Sequence, residues 1–83
     1  MYVTALHKAA FWGHDHVVEY LISRGVNVNA QDMNGATALH GAMQFGHVKC
    51  IKLLRDAGAS ESIKNKKGLT APEVGSAYGR AKL

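Results

Sequence analysis

The sequence predicts an all-α helical solenoid made of two full helix-turn-helix repeats with finger loops and a truncated third repeat. Three observations carry this. TALHKAAFWGH at residues 4–14 returns as TALHGAMQFGH at residues 37–47, identical at seven of eleven positions. Independent landmarks share a 33-residue step: Thr4, Thr37 and Thr70; Gly13, Gly46 and Gly79; Gly25 and Gly58; Gly35 and Gly68. Between the landmarks, apolar residues recur at helical spacing. The repeat units run over about 1–34, 35–67 and 68–83.

In the first unit, Thr4 can cap a helix by accepting a hydrogen bond from a free backbone N–H. Leu6, Ala9 and Ala10 then form a stripe of small side chains, which lets a neighbouring backbone come close. Gly13 stops this helix. A second starts near Asp15, an acid well placed at the positive end of the helix dipole, and Val17, Val18, Leu21 and Ile22 are expected to bury one face of it. Gly25 ends it. The following VNVNAQDMNGAT has too little apolar content for a core strand, and Asn34-Gly35 signals a tight turn, so it reads as an extended hairpin-like finger. The second unit repeats the plan with Leu39 and Ala42, then Cys50, Ile51, Leu53 and Leu54, then the finger GASESIKNKKGLT.

A chain of 83 residues makes one modest domain, burying about 60% of its unfolded surface. No run reaches the roughly 18 apolar residues of a membrane-spanning helix, and the first residues lack a basic start, an apolar stretch and a cleavage site. The lone Cys50 suits a reducing compartment, the cytosol or nucleus. The net charge of +4 is unevenly spread. Two basic residues face three acidic ones up to Gly41, and eight face three from Ala42 onward. The second half is the basic half.

The motifs T-A-L-H-x-A followed by an aromatic-G-H, V-V-x-Y-L-I-x-x-G-x-x-V-N and D-x-x-G-x-T resemble the ankyrin repeat, whose hallmark is T-P-L-H-x-A at this period. The resemblance spans essentially the whole chain. It implies a binding scaffold and leaves the target open. Two features depart from it: Ala5, Ala38 and Ala71 replace the usual proline, and Tyr2 stands where Gly35 and Gly68 stand later.

The third unit departs most, with Pro72 and Glu73 where earlier units have Leu and His. Pro72 is tolerated in a first helical turn. Terminal repeats are atypical because one face has no neighbour, and Arg55, at the position of Ile22, fits an end. The first unit instead carries an ordinary apolar pattern with no polar cap. The expectation there is upstream repeats or self-association through that face, as a closed dimer.

Histidines are the main candidates for chemistry. His7 and His40 sit three residues after a capping threonine, where an imidazole can hydrogen-bond the hydroxyl and brace the helix start. His14 and His47 follow the glycine between helices, where a ring nitrogen can satisfy loop carbonyls. His16 is extra, but neighbours on a helix point about 100° apart, which strains a metal site built from His14, Asp15 and His16. Cys50 stands at the stripe position of Val17, not in a reactive setting. No glycine-rich phosphate loop is present. The expectation is a non-enzymatic chain with no catalytic residue, metal or cofactor.

Trp12, Phe45 and Tyr78 form a column with a 33-residue step. The resemblance places that column at the end of the first helix beside a concave groove, a position used for target contact; the alternative is that each ring covers the neighbouring helix and turn. Phe11 widens the patch. Large aromatics supply contact area at small entropy cost. Lys64, Lys66 and Lys67 lie on the second finger, which the resemblance places along the same groove, whereas Lys49 and Lys52 read as solvated charges. Met33 and Asn34 at the first finger tip and Gln44 beside Phe45 complete the candidate partner-binding set. A carboxylate-rich or phosphorylated protein segment would meet both groups. Nucleic acid would need a longer basic track than three lysines. The expected function is a protein-protein interaction module acting through groove and fingers; the alternative is a self-associating or end-capping fragment of a longer array.

Overall fold

A computed structural model describes residues 4–79. Five helices follow in order: α1 (Ala5–Phe11), α2 (Asp15–Ser23), α3 (Ala38–Gln44), α4 (Val48–Asp56) and α5 (Ala71–Ala77). Helices α1, α3 and α5 lie side by side as an inner layer, with α2 packed on α1, α4 on α3, and α2 against α4 as an outer layer. Helices of seven and nine residues are too short to persist alone in water, so packing must hold them.

Each inner helix starts the same way. Thr4, Thr37 and Thr70 are extended N-cap residues whose side chains accept from the backbone N–H three residues on. The N3 side chain reciprocates, completing a capping box. In α1 and α3 that side chain is a histidine: Thr4 N–H donates to His7 Nδ1 at 3.3 Å and Thr37 N–H to His40 Nδ1 at 3.0 Å. The other ring nitrogen reaches forward into the next finger, with His7 Nε2 2.8 Å from Ala36 O and His40 Nε2 2.9 Å from Leu69 O. The bracing of the helix start matches expectation; the forward bond was not foreseen. In α5, Glu73 takes the N3 role and accepts from Thr70 N–H at 2.8 Å. Those bonds from Thr70, helped by Lys64, hold its carboxyl below the usual range. A carboxylate has no N–H to pass forward, so the relay stops there.

The core is a row of small and branched residues between layers: Leu6, Ala9 and Ala10 from α1, Val18 from α2, Leu39, Ala42 and Met43 from α3, Cys50, Ile51 and Leu54 from α4, and Ala71 from α5. Val17 departs from its expected burial, being 46% exposed, while Leu21 and Ile22 are half-buried. The equivalent Cys50 is 1% exposed. The reason is positional: this face of α4 packs on α2, and the same face of α2 has no preceding repeat among the described residues. Burial, with a smaller push from Asp15, raises the Cys50 thiol above its ordinary pKa. Arg55 at the far end of α4 is exposed and pairs with Glu61.

Both fingers are hydrogen-bonded turns, not strand pairs: Gly35 N–H donates to Asp32 O and Gly68 N–H to Asn65 O, each at 2.9 Å, and no strand is formed among the described residues. Asp32 Oδ1 accepts from the backbone of Asn34 and Ala36 at 2.8 and 2.9 Å, and Asn65 Oδ1 accepts from Lys67 and Leu69 at 3.0 Å each. These side-chain oxygens reinforce the backbone bonds from Asp32 N–H to Ala36 O and from Asn65 N–H to Leu69 O. The fingers are tied together by Lys66 N–H donating to Asn34 O at 2.9 Å and Ser60 N–H to Asn29 Oδ1 at 2.7 Å. Gly35 permits that approach: its φ is +75°, and a Cβ there would lie 3.0 Å from Lys66 N.

Two outcomes are expected from this packing. His40→Ala leaves the buried Thr37 N–H without its partner and removes one of the two bonds on Leu69 O, which Asn65 N–H also reaches at 2.9 Å, and should cost about 2 kcal/mol, whereas His14→Ala, on an exposed ring, should stay within about 0.5 kcal/mol; chemical denaturation compares them. Cys50 should resist alkylation by iodoacetamide in the folded chain, reacting at the rate of an unfolded thiol only in denaturant.

Candidate partner-binding groove

The inner helices and the fingers enclose a concave groove of about 640 Å3. Its floor comes from positions one repeat apart on the inner helices, Lys8, Gly41 and Val74, with Phe11 and Gln44 one turn further along. Trp12 and Tyr78, at the C-caps of α1 and α5, close one side. Asp32, Asn34, Asn65, Lys66 and Lys67 from the fingers close the other.

Of the candidate residues, Phe11, Trp12, Asn34, Gln44, Lys66, Lys67 and Tyr78 therefore line one groove. Phe45, Met33 and Lys64 do not line it; Phe45 shares the C-cap position of Trp12 and Tyr78 but takes the alternative role, covering its neighbour. Phe45 meets Phe11 edge to face at 4.7 Å and sits 6.1 Å from the His47 ring. Its ring buttresses Phe11, which leans over from the preceding repeat. Phe11 also meets Trp12 edge to face at 5.2 Å. Trp12 is 66% and Tyr78 55% exposed, so both present faces to solvent. Met33 is exposed at the finger tip outside the groove lining. Lys64 lies near enough to Glu73 to help depress its carboxyl pKa, at the start of α5.

Sequence reasoning missed Lys8, Gly41 and Val74, although they too stand 33 residues apart. Their signal is weak because lysine, glycine and valine share no chemistry; only the period relates them. The groove holds exposed Lys8, Lys66 and Lys67 against one carboxylate, Asp32, whose Oδ1 is engaged by two backbone N–H groups. Its electrostatic character is positive.

The histidine and cysteine candidates sit elsewhere. His47 Nε2 lies 3.0 Å from Phe11 O, the last carbonyl of α1 rather than a loop carbonyl, in a contact that crosses between repeats. His47 packs so closely that a Cβ at Gly13 would meet its ring at 2.7 Å. His14 was expected to do the same and does not: it is exposed, and among the described residues no carbonyl of a preceding repeat reaches it. The Asp15 carboxylate accepts from His16 N–H at 2.9 Å and pairs with Lys49 at 3.6 Å, so Lys49 is more than a solvated charge. Among the described residues no three His, Cys, Asp or Glu side chains gather as metal ligands would. Nor, among those residues, is any helix long and apolar enough to cross a membrane.

Comparison with known proteins agrees with this architecture. The family model for ankyrin repeats in three copies matches residues 2–70. Rabankyrin-5 of Mus musculus and of Homo sapiens are each 53% identical to this chain over 34 residues, which is 41% of the chain and 3% of the relative. The chain thus aligns with a small part of those proteins. With the family match covering most of its length, and with capped helix pairs and fingers recurring at the 33-residue step, the chain belongs to the ankyrin repeat family, whose members are generally protein-protein interaction modules and typically non-enzymatic.

Proposed function

We propose that this chain binds a protein partner across the concave groove, with the inner helices as floor and the fingers as one wall. The observation that supports the reading is the convergence of Trp12, Phe11 and Tyr78 with Lys66 and Lys67 on one surface. Aromatic side chains provide large contact area with few rotatable bonds, and lysines at the rim steer an acidic segment. The surface is preorganised by capping boxes and finger-to-finger hydrogen bonds, so little ordering entropy is lost on binding. In this reading the chain performs no catalysis, needs no cofactor and works in the cytosol or nucleus, where its buried Cys50 stays reduced. The three repeat units over about 1–34, 35–67 and 68–83 act as one surface.

A second reading has its own observation. Val17 and Tyr20, one turn apart on α2, are 46% and 59% exposed, while the equivalent Cys50 is buried and Leu53 packs against the core. That face accepts either a further repeat or a second copy. Nucleic acid fits less well, because two groove lysines on one finger give only a short basic track.

Two measurements test these readings. With a partner recovered by pull-down and identified by mass spectrometry, Trp12→Ala should weaken binding by about 1–3 kcal/mol without unfolding the chain. Lys66→Glu with Lys67→Glu should act on association rate and salt dependence. Unchanged affinity per folded molecule in both variants would remove the groove from the account. Sedimentation over a hundredfold concentration range addresses the second copy: association weakened by Tyr20→Glu supports it, and a monomer throughout contradicts it.

A further inference from the structure

The groove floor is not uniform. Its central column reads Lys8, Gly41, Val74, so the middle inner helix presents no side chain where its neighbours on either side do. Gly41 lies inside α3, a seven-residue helix in which glycine is the poorest choice short of proline. Its φ is not in the left-handed region and so does not call for glycine. Packing does not exclude a side chain either. A Cβ added at Gly41 would find Phe11 as its nearest neighbour, at 3.5–3.6 Å, which is ordinary van der Waals contact. The missing side chain therefore leaves a hollow in the middle of the groove, walled by the Phe11 ring that Phe45 holds in place.

We infer that this hollow is an anchor site, and that the groove takes an extended acidic peptide segment whose one bulky apolar side chain seats over Gly41 against Phe11. The inference rests on the groove reading above and adds the chemistry of the occupant. Charge complementarity selects the acidic flanks: Lys8, Lys66 and Lys67 line the same groove as the hollow, and the Asp32 carboxylate is already engaged by backbone N–H groups. The floor selects the anchor. An apolar side chain over Gly41 covers the Cα and meets an aromatic wall, whereas a charged one would lose water there with no opposite charge on α3 to meet it. Anchors of this kind carry most of the affinity in many interfaces.

The test uses two fluorescent dodecapeptides, both rich in aspartate and glutamate, one with a central leucine and one with a central glycine, titrated onto the full chain by anisotropy. The leucine peptide should bind at least tenfold more tightly. Gly41→Val places in α3 the residue that α5 carries as Val74. It should keep the helical circular dichroism and abolish the leucine advantage, and Gly41→Ala should melt higher than the parent while weakening the leucine peptide several-fold. Equal binding of both peptides, still weakened tenfold by Lys66→Glu with Lys67→Glu, would overturn the anchor and leave the groove reading standing. Binding of neither peptide, or binding indifferent to the lysine variant, would overturn both. Tighter binding of a twelve-nucleotide oligothymidylate than of the leucine peptide would replace the occupant with nucleic acid and overturn the proposal.

Discussion

One imidazole ring joins each of the first two repeats to the finger that follows. Thr4 and Thr37 donate their backbone N–H to Nδ1 of His7 and His40, which requires that nitrogen to be unprotonated. Nε2 is then the N–H, and it donates to Ala36 O and Leu69 O. A single neutral tautomer therefore closes the cap of one helix and fixes the finger of the next repeat. Both rings are buried, at 6% and 3% exposure, so losing either bond would strand a polar group away from water.

The rest of the molecule depends on that relay. Seven-residue inner helices gain little from propensity, and Gly41 weakens α3 further. What keeps them parallel is the small-residue seam of Ala9, Ala10, Ala42 and Ala71 together with the imidazole bonds at one end and His47 on the Phe11 carbonyl at the other. The groove forms because its two walls are held by different means: Trp12 and Tyr78 by helix C-caps, and Lys66 and Lys67 by a finger that rests on the previous one. Motion in the fingers would separate the lysines from the aromatics. The relay thus connects folding directly to the shape of the surface offered to a partner.

Most of the fold was legible in the sequence because the 33-residue step converts isolated residues into columns. Thr4, Thr37 and Thr70 read as caps, and Gly13 and Gly46 as helix stops, for local reasons that hold in each unit. What escaped was between units. Val17 follows the apolar stripe yet is exposed, because burial there needs a preceding repeat, which periodicity within a unit does not reveal. The aromatic column stands at the helix C-caps, but Phe45 turns out of the groove for a similar reason: the ring finds Phe11 of the preceding repeat and leaves the groove to Gln44. Lys8, Gly41 and Val74 went unseen because a groove floor is defined by the space above it. His14 and His47 share a sequence environment but differ in role, since only His47 has a preceding repeat to meet among the described residues.

The central claim, that neutral imidazoles tie the repeats together, is tested most directly by nitrogen NMR of the histidine rings in the folded chain. The account requires that His7 and His40 each show an unprotonated Nδ1 and a slowly exchanging Nε2–H, with hydrogen-bond coupling to the Ala36 and Leu69 carbonyls, while the exposed His14 ring shows the averaged signals of exchanging tautomers. Protonated Nδ1 atoms, or averaged signals for His7 and His40 like those of His14, would contradict it.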